Sequence, residues 1–135
     1  MNPIRVLLAE DNPGDVQLVQ EALLEHQINF ELAVCSDGAL ALSYLETVGG
    51  ETGVPCPDVF LLDLNLPKAS GDQILKKFRT QSNCADTPVI IVTSSDAPRD
   101  RERATQLGAA HYFRKPADFD EFMTLGAVVK SLTTR

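Results

Sequence analysis

Residues 57–67 read PDVFLLDLNLP and give the clearest indication of the fold. Their unbroken run of β-branched, aromatic and aliphatic residues lies between two prolines and predicts a short strand buried on both faces, as in a parallel sheet. Asp63 directly follows this apolar run. A carboxylate at the carboxyl end of such a strand faces the crevice where open α/β sheets bind ligands. The stretch therefore predicts an α/β sheet with Asp63 at its ligand-binding edge.

The rest of the chain alternates short apolar runs with segments of helical periodicity. The predicted strands are Ile4–Ala9, Glu31–Cys35, Val59–Asp63, Val89–Thr93 and His111–Arg114. Predicted helices begin near Asn12-Pro13 and Ser36-Asp37 and cover Gly71–Gln81, Pro98–Leu107 and Phe119–Leu132. Five strands alternating with five helices specify a doubly wound, five-stranded parallel sheet with helices on both faces.

Finer features of these elements can also be predicted. Leu40 and Tyr44 are expected on the inner face of the second helix. Residues 49–57, rich in Gly and Pro, are expected to form a loop. The connections are short, so residues 1–135 are expected to form a single domain with no output domain after the last helix.

Composition narrows the classes of function. The net charge of −7 argues against binding nucleic acid or anionic lipid, since both need a basic surface. The sequence shows neither a membrane-spanning run nor a signal peptide. The three cysteines, Cys35, Cys56 and Cys84, are odd in number and lack CxxC spacing, so neither a disulfide framework nor a zinc ribbon is expected. The cysteines therefore indicate a reducing compartment, the cytoplasm.

Three acids at predicted strand ends indicate a cation site. Glu10 and Asp11 end the first apolar run, and Asp63 ends the third. These carboxylates cannot all stay ionised within a few ångströms of one another without a cation, and Mg²⁺ prefers such hard oxygen ligands. The alternative for Glu10 and Asp11 is negative charge placed before a helix, where the helix dipole favours it. The pairing with Asp63 favours the metal.

The same edge carries groups suited to phosphoryl transfer. Asp63 has two open roles, as a metal ligand alone or also as a nucleophile that forms an acyl phosphate. Lys115 and the hydroxyl of Thr93 then supply charge and a hydrogen bond to the phosphoryl oxygens. Each has an ordinary alternative, because a lysine before proline is often a solvated loop residue and Thr93 can serve as a helix cap. No nucleotide-binding glycine motif or serine-hydrolase elbow is present.

The pattern resembles the receiver domain of two-component response regulators along nearly the whole chain. The matching residues are Glu10-Asp11, Asp63, Thr93 and Lys115-Pro116, each after the expected strand. The segments LLAEDNPGDVQLVQEAL, PDVFLLDLNLPKASG and YFRKPADFDEF are most similar to small receivers that pair with bacterial and cyanobacterial phytochrome kinases. The resemblance implies a flavodoxin-like sheet of strand order 2-1-3-4-5.

The resemblance also implies residue roles. Asp63 would accept a phosphoryl group from a histidine kinase, including a phytochrome kinase, or from a phosphotransfer protein. Mg²⁺ would be held by Glu10, Asp11, Asp63 and the backbone carbonyl of Asn65. Thr93 and Lys115 would contact the phosphoryl group, and Tyr112 would be the switch aromatic that responds to Thr93. Lys115-Pro116 would be a cis bond, and Tyr112 could equally be an ordinary half-buried strand aromatic.

Three functions are compatible with parts of this pattern. The first is a signalling module, not an enzyme, that acts through protein contacts and forms a homodimer through helix four, strand five and helix five. The second is a metal-dependent phosphatase with an aspartyl nucleophile, which usually carries a second acid where Asn65 stands. The third is an unphosphorylated scaffold, which would not need the complete site. The first is preferred.

Overall fold

A computed structural model describes residues 2–49, 53–81 and 83–134 as an all-parallel sheet of order β2-β1-β3-β4-β5. The strands are β1 (Ile4–Ala9), β2 (Phe30–Cys35), β3 (Val59–Leu62), β4 (Val89–Thr93) and β5 (His111–Arg114). The helices are α1 (Pro13–Glu25), α2 (Gly38–Thr47), α3 (Gly71–Gln81), α4 (Pro98–Gln106), α5 (Phe119–Met123) and α6 (Leu125–Thr133). The predicted fold class and strand order are confirmed.

The sheet separates two apolar cores, because successive side chains of its buried strands point to opposite faces. Phe60 and Leu62 pack with α2 and α3 on one face, while Val59 and Leu61 pack with α1, α5 and α6 on the other. On α3, Ile74, Leu75 and Phe78 are fully buried. Within the described ranges, no helix is long and apolar enough to cross a lipid bilayer.

The predicted inner face of α2 is wrong at Leu40, whereas Tyr44 is half-buried and packs against the core as predicted. Leu40 is 50% exposed, whereas Gly38, Ala41 and Leu45 are buried. A side chain at Gly38 would collide with the backbone of Ala69, so the absence of a side chain lets this helix end approach the loop after β3. That close approach turns Ala41 and Leu45 toward the sheet.

The predicted last helix is interrupted at Thr124. The backbone N–H of Thr124 donates to the Glu121 carbonyl, and the Thr124 hydroxyl donates to the same oxygen. The Met123 carbonyl bonds instead to Nε2 of His26 on α1, at 3.1 Å. Because these contacts redirect the backbone pairing, α5 and α6 are separate helices.

Two predictions about covalent geometry are also wrong. Cys56 and Cys84 form a disulfide although they lie 28 residues apart and outside any CxxC motif. The loops before β3 and before β4 meet at one end of the sheet, which brings the two sulfurs together. Because two of the three cysteines are paired, the cysteines do not indicate a reducing compartment. The Lys115–Pro116 bond is trans, the lower-energy form of most X–Pro bonds.

The predicted loop between α2 and β3 falls partly outside the described residues, since residues 50–52 are not described. Its described ends are tied together by backbone hydrogen bonds from Gly49 to Val54 and from Val54 to Thr47. Asn83 adds a side-chain bond to the Gly49 carbonyl at 2.8 Å. The ends of this segment are thus anchored beside the disulfide.

Candidate functional site

The functional side chains meet because parallel strands place their carboxyl ends at one edge. Glu10 follows β1, Asp63 follows β3 and Lys115 follows β5. Lys115 is held in register by its backbone N–H, which donates to the Thr93 carbonyl at 2.8 Å. The structure therefore brings together residues that are more than fifty positions apart in sequence.

The centre of the site is the Lys115 ammonium, surrounded by three carboxylates. Its Nζ lies 2.7 Å from Oε1 of Glu10, 2.8 Å from Oδ2 of Asp15 and 3.0 Å from Oδ2 of Asp63. Burial acts to lower the pKa of Lys115, but the three carboxylates more than offset burial and hold this pKa above its ordinary value. The lysine is therefore a fixed positive charge rather than a solvated loop residue.

Glu10 is the most buried carboxylate of the group, with 1% of its surface exposed. Its Oε2 accepts a hydrogen bond from the Asn12 backbone at 3.2 Å. Burial raises the pKa of Glu10 to about 7, and the Asp63 charge adds to the rise while Lys115 opposes it. Although Oε1 lies close to Lys115, it is the one buried side-chain oxygen or nitrogen in the described ranges without a hydrogen bond of normal geometry.

The carboxylates fit a divalent cation. Glu10, Asp11 and Asp63 each offer an oxygen, and these atoms lie within 4.8 Å of one another. The all-oxygen donor set matches the preference of a hard cation, and Oε1 of Glu10 is paired with Lys115 by charge without a hydrogen bond of normal geometry. Asn65, the fourth predicted ligand, lies beside them, because its backbone N–H donates to Oδ1 of Asp63 at 3.1 Å.

Thr93 and Tyr112 extend the site toward α4. Thr93 is fully buried, and its Oγ1 accepts from Nδ2 of Asn65 and from the Ser95 backbone, both at 3.4 Å. The Tyr112 hydroxyl donates to the Ser95 carbonyl at 2.9 Å. The Arg101 guanidinium stacks on the Tyr112 ring, 4.4 Å from its centre. The loop after β4 therefore connects Thr93, the predicted phosphoryl contact, to Tyr112, the predicted switch residue, through Ser95.

Sequence reasoning missed two participants, Asp15 and Arg101. Asp15 lies in the first turn of α1, where Asn12 caps the helix by accepting hydrogen bonds from the Gly14 and Asp15 backbones. Asp15 follows Glu10 closely in sequence, at the start of the helix after β1, so it could have been predicted to face the crevice. Arg101 gave no such signal, because its contact depends on how α4 packs beside β5.

Several known proteins are similar to this chain in sequence and in overall structure. Response regulator Rcp1 of Synechocystis sp. is 32% identical over 131 residues, covering 96% of this chain and 89% of Rcp1. The crystal structure of the phosphorylated cyanobacterial phytochrome response regulator RcpA matches with a TM-score of 0.86 at 28% identity, covering 98% of this chain and 94% of RcpA. The crystal structure of the Mn²⁺-bound form of Rcp1 matches with a TM-score of 0.84 at 32% identity, covering 98% and 97% of the two chains.

These matches confirm the predicted resemblance to phytochrome-associated response regulators. The family match itself spans residues 6–126, from within β1 to the second residue of α6. The chain therefore belongs to the response regulator receiver domain family of two-component signalling systems.

Proposed function

We propose that this protein is a phosphorylation-switched signalling module in which Asp63 accepts a phosphoryl group from a histidine kinase in the presence of Mg²⁺. The observation that carries the proposal is the position of Asp63. It is 5% exposed at the end of β3 and lies 3.0 Å from the Lys115 ammonium. It also belongs to the candidate metal cluster with Glu10 and Asp11. One nucleophile, one fixed cation and one set of metal ligands thus share a single crevice.

The proposed chemistry is a displacement at phosphorus. A carboxylate oxygen of Asp63 forms the new bond, and the bond from phosphorus to the histidine nitrogen of the donor breaks, its electron pair leaving with that nitrogen. The product is an acyl phosphate on Asp63. Lys115 stabilises the negative charge that builds up on the phosphoryl oxygens, because it is already held beside Asp63.

Glu10, Asp11 and Asp63 are the residues that would hold Mg²⁺, with the backbone carbonyl of Asn65 as the further proposed ligand. When bound, Mg²⁺ neutralises charge on the phosphoryl oxygens. The Mn²⁺ in the Rcp1 structure supports a divalent cation in this family. The oxygen donor set here is the basis for proposing Mg²⁺.

The signal is proposed to leave through Thr93 and Tyr112. The hydrogen bonds at Thr93 Oγ1 are ones that it accepts, both at 3.4 Å, so they do not use its hydroxyl hydrogen, which can donate to a phosphoryl oxygen on Asp63. Movement of Thr93 would change the path of the loop at Ser95, whose carbonyl holds the Tyr112 hydroxyl. Tyr112 would then repack between two arrangements at the α4–β5 surface.

The test of the proposal is uptake of one phosphoryl group. Purified protein incubated with acetyl phosphate and Mg²⁺ is expected to gain one phosphoryl group by intact mass spectrometry, and EDTA is expected to prevent the gain. Asp63→Asn, which keeps the shape of the side chain, should gain none. Equal labelling of the variant would remove Asp63 from its proposed role.

The proposed phosphodonor is a phytochrome-type histidine kinase, acting directly or through a phosphotransfer protein. The support is the similarity to RcpA, a cyanobacterial phytochrome response regulator, and to Rcp1. Transfer from a panel of phosphorylated histidine kinases would test the specificity. Faster transfer from a kinase without a phytochrome sensor than from any phytochrome kinase would contradict it. With a kinase as donor, we place the protein in the cytoplasm.

Two further proposals concern assembly. We propose that residues 1–135 form one receiver domain, since the sheet elements all belong to one layer. We also propose a homodimer through α4, β5 and the C-terminal helices, because β5 is an edge strand and its residues His111 and Arg114 are exposed. Sedimentation of the unmodified and phosphorylated forms tests this interface, and a monomer in both states would exclude it.

A further inference from the structure

Asp15 is a fourth carboxylate at the site without a role in the proposed chemistry. It lies outside the cluster of Glu10, Asp11 and Asp63, yet its Oδ2 is 2.8 Å from the Lys115 ammonium. That hydrogen bond is shorter than the 3.0 Å bond from the ammonium to Asp63. The two residues are 100 positions apart in sequence, so the contact belongs to the tertiary structure.

Helix capping does not account for this contact. Asp15 is the third residue of α1, where an acid can reach back to the backbone N–H of the capping residue. Here that N–H, on Asn12, already donates to Glu10, and the Asn12 side chain caps the helix. Within the described ranges, the Asp15 carboxylate accepts a hydrogen bond from Lys115 alone. Its side chain is 23% exposed, against 1% for Glu10, so it lies at the rim of the site.

A divalent cation and Lys115 compete for the same carboxylates. The ammonium contacts both Glu10 and Asp63, which are two of the three candidate metal ligands. A dication among these oxygens would repel the ammonium and weaken its hold on them. An ammonium that is 11% exposed and left without a partner would carry a desolvation cost. Asp15 removes that cost because it offers the ammonium a partner outside the metal ligands.

We propose that Asp15 is a positioning residue that retains Lys115 when a divalent cation occupies the carboxylates, and thereby strengthens binding of that cation. The inference rests on the cation site of the proposed function. Asp15 draws Lys115 away from Glu10 and Asp63 while keeping it at the edge of the crevice. The ammonium then remains within reach of a phosphoryl group on Asp63.

The experiment is a double-mutant cycle in which isothermal titration calorimetry measures the Mg²⁺ affinity of each variant. The chain is used in its unphosphorylated form. Asp15→Asn is expected to weaken Mg²⁺ binding by about fivefold or more, the lower range of coupling between linked sites. In a Lys115→Gln background, the same substitution is expected to change the affinity by about twofold or less, because the partner through which Asp15 acts is gone. Asp15→Glu, which keeps the charge, is expected to stay within about twofold of the unchanged protein.

The matched control is Glu25→Gln, which removes one negative charge from the exposed end of the same helix, about 15 Å along its axis. It is expected to leave the affinity within about twofold. Equal weakening by Asp15→Asn with and without Lys115 would overturn the inference, because Asp15 would then act as a ligand or a general charge. No weakening in a protein that binds Mg²⁺ would overturn it as well.

The outcomes separate this inference from the proposed function. If the unmodified protein binds no Mg²⁺, the cation site fails and the role of Asp15 fails with it. If the unmodified protein binds Mg²⁺ and becomes phosphorylated while Asp15→Asn binds equally well, only the role of Asp15 fails. Circular dichroism in EDTA confirms that each variant is folded before titration.

Discussion

Glu10→Gln is expected to make the metal-free protein more stable at alkaline pH while it removes cation binding. Glu10 is 1% exposed, and its burial raises its pKa from the ordinary 4.5 to about 7. At about 1.36 kcal/mol per pKa unit, keeping this group ionised in the folded state costs roughly 3 kcal/mol. Glutamine has nearly the same shape and no charge, so the variant avoids this cost.

The sign follows from proton linkage. Because the pKa of Glu10 is higher in the folded than in the unfolded chain, the folded state binds more protons between pH 4.5 and about 7. Stability from this group is fully present below about pH 4.5 and is lost as pH rises to about 7. The difference in unfolding free energy between Glu10→Gln and the unchanged protein should therefore move by roughly 3 kcal/mol in favour of the variant between pH 4.5 and 8.

The assay is urea denaturation in EDTA at several pH values, followed by circular dichroism. Glu31→Gln is the matched control, because the Glu31 side chain is 63% exposed and its substitution should change stability by less than about 0.5 kcal/mol at every pH. Saturating Mg²⁺ should stabilise the unchanged protein and not Glu10→Gln. A pH-independent difference between Glu10→Gln and the unchanged protein would refute the reasoning.

Three further results are expected. Reduction of the Cys56–Cys84 bond, which closes a 28-residue span, should lower the unfolding free energy by about 3.5 kcal/mol, and Cys56→Ala should no longer respond to reductant in urea denaturation. Lys115→Ala should lower the free energy of unfolding by roughly 3 kcal/mol in EDTA, because it leaves buried carboxylates unpaired. Calorimetry should show that Mg²⁺ restores much of this stability. Arg101→Ala should lower the free energy of unfolding by about 0.5–1 kcal/mol, because it removes the stacking on Tyr112. If the same substitution lowers stability equally in a Tyr112→Ala background, the stacking does not contribute.

The architecture was predictable because its signals are local. The run before Asp63 is uniformly apolar, and its length and bounding prolines identify a buried strand. Once five such strands alternate with helices, their carboxyl ends must share an edge. Glu10, Asp63 and Lys115 therefore meet as expected, at distances that only the structure provides.

The features missed depend on packing rather than pattern. Leu40 and Ala41 are both apolar, and the close approach of Gly38 to the loop after β3 decides which of them is buried. Cys56 and Cys84 lie on separate loops whose meeting no spacing rule predicts. The nearness of Asp15 to Glu10 in sequence indicates that it faces the crevice, but its contact with a lysine 100 residues away depends on the tertiary structure.

The most direct test of the account is to locate the phosphoryl group by chemistry. Borohydride reduces an aspartyl phosphate to homoserine, so treated protein can be digested and sequenced by tandem mass spectrometry. After incubation with acetyl phosphate and Mg²⁺, homoserine is expected at position 63, and its amount should fall to background in EDTA. Homoserine at position 11 or 15 instead, or a phosphorylated protein with Asp63 intact, would show that Asp63 is not the phosphoryl acceptor.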